Sequence, residues 1–97
     1  MGRAAEMTEV AMCYEEVLEA ASAANRAAMR AAFCGKYSLS AEFLRAAAAA
    51  YRKAAALAAG SLDPEIANNR QELWLLQASL CEEEAKEDDL RAQEGQM

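Results

Sequence analysis

The chain has 97 residues, of which 26 are alanine and none is histidine, and its formal net charge is −6. This length corresponds to one domain, and the sequence has no apolar run of about 18 residues that could insert into a membrane. The acidic balance, with no aromatic side chains interleaved among the basic ones, excludes a typical nucleic-acid interface. Because alanine is abundant and β-branched residues are rare, the composition predicts an all-α protein.

Apolar residues recur at helical spacing over about residues 4–33, which predicts a long first helix. Gly35 follows this stretch and suits the left-handed position that ends many helices. The next periodic stretch predicts a second helix over about 39–59, for which Ser38 or Ser40 could act as the N-cap.

The second turn carries the clearest boundary signals in the chain. Gly60 is a helix stop, Asp63 is suited to be an N-cap, and Pro64 suits the first helical position, where a missing N–H costs nothing. A third helix is therefore predicted over about 64–88.

Two short connections between three long helices predict an antiparallel three-helix bundle. The bundle is expected to occupy residues 1–90 as a single domain. Acidic residues at the end of the third helix oppose the helix dipole, so we expect residues 91–97 to form a flexible acidic tail. The first residues lack the apolar core of a signal peptide, which predicts a cytoplasmic location.

Catalytic chemistry finds little support in the residue types. Without histidine, the ordinary activation of a serine or cysteine nucleophile is missing. The three cysteines, Cys13, Cys34 and Cys81, have no CxxC spacing, so no metal site is predicted. No phosphate-binding or cofactor motif is present, and the carboxylate clusters are typical of solvated helix faces. We therefore predict a protein that is not an enzyme and has no cofactor.

The third helix is apolar over more of its circumference than one neighbouring helix would cover. One stripe consists of Ile66, Leu73, Leu76 and Leu80, and the other of Ala67, Trp74, Ala78, Cys81 and Ala85, with Leu75 beside it. A shallow apolar groove on helices 2 and 3 would suit the amphipathic helix of a partner. Trp74 is read either as a core residue or as the anchor of such a partner. The candidate partner-binding residues are Trp74, Leu75, Ala78, Cys81, Tyr51 and Ala47.

One stretch of the chain resembles the helical hairpin of MIT domains, the microtubule-interacting and trafficking modules. The turn Gly35-Lys36-Tyr37 matches, and so does the following apolar stripe of Phe43, Leu44, Ala47, Tyr51 and Ala54. A TPR hairpin is similar over the same stretch, but TPR proteins need about three repeats and no 34-residue period is present. The MIT resemblance implies an adaptor that binds short helical tails of membrane-remodelling or autophagy proteins beside helix 3.

Two functions stay open at this stage. The first is a non-catalytic adaptor that binds the amphipathic helix of a partner protein. The alternative is a small structural subunit of a larger assembly or a homo-oligomer, because the long first helix carries an apolar stripe that a small bundle would not fully cover.

Overall fold

The structure of the chain, a computed structural model, describes residues 2–60 and 63–95; the side chains of residues 2–13, 66 and 95 lie outside this description. The described residues form three helices and no strand: α1 (Gly2–Phe33), α2 (Tyr37–Ala58) and α3 (Pro64–Gly95). The predicted all-α three-helix bundle is thus confirmed.

The shortest helix, α2, is the centre of the bundle. Its backbone packs extensively against both α1 and α3, whereas the backbones of α1 and α3 approach each other at few points. The Cα trace measures 60 × 22 × 15 Å, which describes a long and rather flat molecule. The third helix therefore has only α2 as an extensive backbone neighbour.

Alanine builds most of the core. The buried apolar residues that pack together are Ala21, Ala28, Ala41, Leu44, Ala47, Ala48, Tyr51, Ala78, Cys81 and Ala85. Small side chains allow neighbouring helices to approach closely, but each one removes little apolar surface from water. Long-range polar contacts therefore matter more to this bundle than to one with a leucine-rich core.

The first turn is a Schellman motif. The Lys36 N–H donates to the Ala31 carbonyl at 2.8 Å, and the Gly35 N–H donates to the Ala32 carbonyl at 3.0 Å. Gly35 has a φ of +77°, the left-handed conformation predicted for it. The α1–α2 corner is therefore fixed by backbone hydrogen bonds.

The predicted serine cap of α2 is wrong. The helix begins at Tyr37, and Lys36 stands at the N-cap position without a side-chain capping bond. Ser38 and Ser40 lie inside the first turns of the helix, which starts two residues earlier than the sequence suggested. The tight turn at Gly35 leads directly into α2, so only Lys36, which makes no side-chain capping bond, lies between them.

The second turn agrees with its sequence signals at α3. The Asp63 carboxylate accepts a hydrogen bond from the Glu65 N–H at 3.0 Å, as an N-cap does, and Pro64 is the first helical residue. At the preceding helix end, α2 stops at Ala58, and Gly60 does not adopt the left-handed conformation.

The third helix is longer than predicted. It continues to Gly95 rather than ending near residue 88, so residues 91–95 belong to the helix; residues 96–97 of the predicted tail lie outside the described residues. Acidic side chains in its last third bond to α2, as described below, and these contacts offset the unfavourable dipole.

Candidate protein-interaction surface

A row of half-exposed leucines runs along the outer side of α3. Leu73, Leu76 and Leu80, here called the leucine stripe, expose 45%, 57% and 45% of their surfaces. Their spacing of three and four residues places them on one face of the helix. Single exposed leucines are common on proteins, but three in a row form a continuous apolar surface.

The leucine stripe lies far from the core face of the same helix. Ala78, Cys81 and Ala85 are buried at the centre of the bundle. At 3.6 residues per turn, the leucine stripe is rotated roughly 140° from these three residues. The broad apolar face predicted for helix 3 thus divides into a buried alanine and cysteine face and an exposed leucine face.

Polar side chains surround the leucine stripe. The same spacing continues to Asn69 on the N-terminal side and to Glu83 and Glu87 on the C-terminal side, all of them exposed. Exposed Arg70 and Glu84 flank the stripe on the side nearer α1. The result is a short apolar centre with a polar rim, the arrangement found in many protein interfaces.

An aromatic cluster of Tyr14, Tyr51 and Trp74 connects all three helices. The Trp74 ring stacks on the Tyr51 ring with centroids 5.6 Å apart and an interplanar angle of 11°. The Trp74 Nε1–H donates to the Tyr14 hydroxyl at 2.7 Å. The Arg70 guanidinium lies 6.0 Å from the centre of the Tyr14 ring, within cation–π range. These contacts fix the rotation of α3 and hence the outward direction of the leucine stripe.

Ion pairs hold α3 on α2 from the other side. Arg45 pairs with Asp89, and Arg52 pairs with Glu82. The hydrogen bond from Arg52 keeps the pKa of the Glu82 carboxyl below its usual range. Because these pairs are exposed, each one contributes little to stability, but together they favour one rotation of α3.

A buried carboxylate adds a more specific contact. Asp88 is only 5% exposed and accepts a hydrogen bond from the Ser40 hydroxyl at 2.6 Å. Arg91, one turn further along α3, donates to the other carboxylate oxygen at 3.1 Å. Both oxygens of this buried acid are therefore satisfied, as a buried charge requires.

The six residues predicted to bind a partner do not form one accessible groove. Four of them are buried between the helices, since α2 and α3 pack directly on each other: Ala47, Tyr51, Ala78 and Cys81. Trp74 is half-buried in the aromatic cluster, while Leu75 is 43% exposed. The predicted groove on helices 2 and 3 is thus closed by small residues on both sides. A role in binding stays a sequence prediction for Trp74 and Leu75, and the binding face proposed below does not include them.

The leucine stripe was visible in the sequence but was not among the candidate binding residues. Leu73, Leu76 and Leu80 appeared there as the first apolar stripe of helix 3. Ile66 belongs to the same stripe, and its side chain lies outside the described residues. Periodicity showed two stripes, and only packing could tell which one faces α2.

A surface depression lies between α1 and α3, over the first half of α2, and has a volume of about 290 Å³. Its apolar residues are Ala28, Met29, Ala32 and Leu44, and its polar residues are Ser40, Glu84, Glu87, Asp88 and Arg91. Charged groups occupy much of this depression, so it suits an apolar helix less well than the leucine stripe does.

Reactive side chains do not converge at this surface. Burial raises the pKa of the Cys81 thiol, and the nearby Glu84 charge raises it further, which disfavours the nucleophilic thiolate. Among the side chains that the structure describes, no three of His, Cys, Asp or Glu are grouped so that they could hold a metal ion. Within residues 2–60 and 63–95, no helix is long and apolar enough to cross a membrane.

Comparison with known proteins adds no family to this description. No family model, curated protein or solved structure matches the chain. The resemblance to MIT domains stays a prediction from the sequence.

Proposed function

We propose that the chain is a non-catalytic protein-interaction module that binds the apolar face of an amphipathic helix along α3. The observation that carries this proposal is the half-exposed leucine stripe, Leu73, Leu76 and Leu80. A helix that packs against it would remove apolar surface from water at about 25 cal/mol per Å².

The contacts that hold α3 on the bundle support the proposal. The aromatic cluster and the ion pairs with α2 fix the helix on both sides of its buried face. A surface that is already ordered loses less conformational entropy on binding than a flexible one does. This proposal includes the adaptor role, in membrane trafficking or autophagy, that the MIT resemblance implies. It differs from the sequence prediction in the binding face, which is the outer side of α3.

The acidic residues beside the leucine stripe indicate the kind of helix that would bind. Glu83, Glu84 and Glu87 lie at the C-terminal end of the leucine stripe. A partner helix with an apolar face and basic or amide side chains opposite these acids would complement this surface, and a test peptide with lysine on its flanks supplies such groups.

The test is a titration of isotope-labelled protein with a synthetic four-heptad helix that carries leucine on one face and lysine on both flanks. We expect amide shift changes centred on Leu73, Leu76 and Leu80. The control is a peptide of the same composition whose leucines are distributed over all faces. Equal shifts with both peptides, shifts confined to another face, or no shifts at all would each refute the proposed function.

A further inference from the structure

We propose that the helix bound by the leucine stripe is α3 of a second copy of this chain, in antiparallel orientation. This inference rests on the proposed function and names its partner. The charge pattern of the described α3 residues carries it, because that pattern complements itself better in the antiparallel orientation than in the parallel one.

The leucine stripe belongs to a heptad pattern. Its three residues follow the alternating spacing of three and four that places apolar side chains on a helix–helix seam. The same positions are taken by Asn69 before the stripe and by Glu83 and Glu87 after it, all exposed. Two copies of α3 could therefore form a short seam whose centre is apolar and whose ends are polar.

The antiparallel orientation aligns the leucines with each other. If the two-fold axis passes close to Leu76, Leu73 of one copy faces Leu80 of the second copy, and the two Leu76 side chains meet. Asn69 then lies opposite Glu83 of the second copy, where its amide can donate a hydrogen bond to the carboxylate. A polar pair at the end of such a seam favours this register over registers that separate the two side chains.

The flanking charges match in the same register. Arg70 of one copy lies opposite Glu84 of the second copy, and the two-fold axis repeats this pair. On the other flank, exposed Glu65 lies opposite exposed Lys86 of the second copy. Four attractive pairs per dimer therefore surround the apolar centre.

A parallel orientation would place like charges together. Glu83 would face Glu83 of the second copy, and Glu87 would face its own counterpart, all within the seam. Four carboxylates brought together in this way repel each other, which disfavours parallel pairing. The self-complementary surface thus selects the antiparallel dimer.

The experiment exchanges the charges of one pair and measures mass in solution. For the unchanged chain, we expect sedimentation equilibrium to show a monomer–dimer equilibrium between about 1 µM and about 1 mM, the range of weak interfaces. Arg70→Glu alone and Glu84→Arg alone should each weaken the dimer by about tenfold or more, because attraction becomes repulsion at two places.

Mixing the two variants gives the decisive result. In a heterodimer of Arg70→Glu with Glu84→Arg, both exchanged pairs are again opposite in charge, so association should return to the level of the unchanged chain. Control variants with the same charge changes at exposed positions of α2, Lys53→Glu and Glu42→Arg, should leave the dimer within about twofold. Leu76→Glu should abolish the dimer, while its circular dichroism shows an intact fold.

Three results would overturn the inference: a monomer at every concentration, a mixture that associates no better than its components, or a dimer that Leu76→Glu leaves intact. The failure of the proposed function looks different. A chain that stays monomeric but binds the lysine-flanked helix on the leucine stripe would refute the second copy as partner and leave the proposed function standing.

Discussion

The buried contact between Ser40 and Asp88 gives a direct test of how this alanine-rich bundle is held together. Ser40→Ala removes the hydroxyl that donates to the Asp88 carboxylate at 2.6 Å, in a place where Asp88 is 5% exposed. A hydrogen bond to a charged group contributes about 1.5–3 kcal/mol. Arg91 keeps one carboxylate oxygen bonded, so we expect a loss near the lower end, about 1.5–2 kcal/mol.

The change can be measured by urea and thermal unfolding followed by circular dichroism at neutral pH. For a domain of this size, the predicted loss corresponds to a Tm lower by roughly 10 °C. Ser79→Ala, at an exposed position of α3, is the control. Alanine is the better helix former at both positions, so the control should be neutral or slightly stabilising. If Ser40→Ala lowers the Tm no more than the control does, the buried contact does not stabilise the bundle.

Three further predictions concern the core. Ala48 is fully buried, so Ala48→Leu should destabilise the fold by about 1–3 kcal/mol through overpacking. Its neighbour Ala49 is exposed, so Ala49→Leu should change the free energy of unfolding by no more than about 0.5 kcal/mol. If urea unfolding shows the larger loss for Ala49→Leu, or equal losses, the described core is contradicted. Cys34 is exposed and should be alkylated quickly, whereas buried Cys81 should be alkylated only as fast as the bundle opens. Peptide mass spectrometry measures both alkylation rates, and equal rates would contradict this packing. Burial raises the pKa of Cys81 and of Tyr51. As the pH rises, the unfolded chain therefore loses these protons before the folded chain does, and this loss stabilises the unfolded state. The Tm should fall as the pH rises past the ordinary pKa values, about 9 for a thiol and about 10 for a phenol. A constant Tm would argue against the burial of the two side chains.

The helical architecture could be predicted from local signals. Gly35 and the Asp63-Pro64 pair act through their own backbone geometry, and the structure has both where the sequence placed them. Apolar periodicity gave three helices because it reports on a single helix at a time.

The contacts between helices could not be predicted in the same way. Ser40 looked like a helix cap because serines favour that position, yet its partner is Asp88, 48 residues away. The acids at the end of α3 suggested an early helix end, but Arg45 binds Asp89 across the bundle and the helix continues. Such pairs depend on how the helices pack against each other, which cannot be inferred from the local sequence.

The candidate site shows the same limit. Ala78 and Cys81 were predicted to line a shallow groove on helices 2 and 3 for the amphipathic helix of a partner. In the structure their small size lets α2 approach, and the space is filled by the protein itself. Leu76, a larger residue on the opposite side of the helix, is left exposed instead.

The most direct test of the central proposal compares two single substitutions on α3. Leu76→Glu places a charge within the leucine stripe, whereas Leu75→Glu places the same charge at a leucine of similar exposure, roughly 100° around the helix. Affinity for the lysine-flanked helix, measured by fluorescence anisotropy, should fall about tenfold or more for Leu76→Glu, a loss of about 1.4 kcal/mol or more. It should change by less than about twofold for Leu75→Glu. Equal losses in the two variants, or a larger loss for Leu75→Glu, would contradict the assignment of the binding face to the leucine stripe.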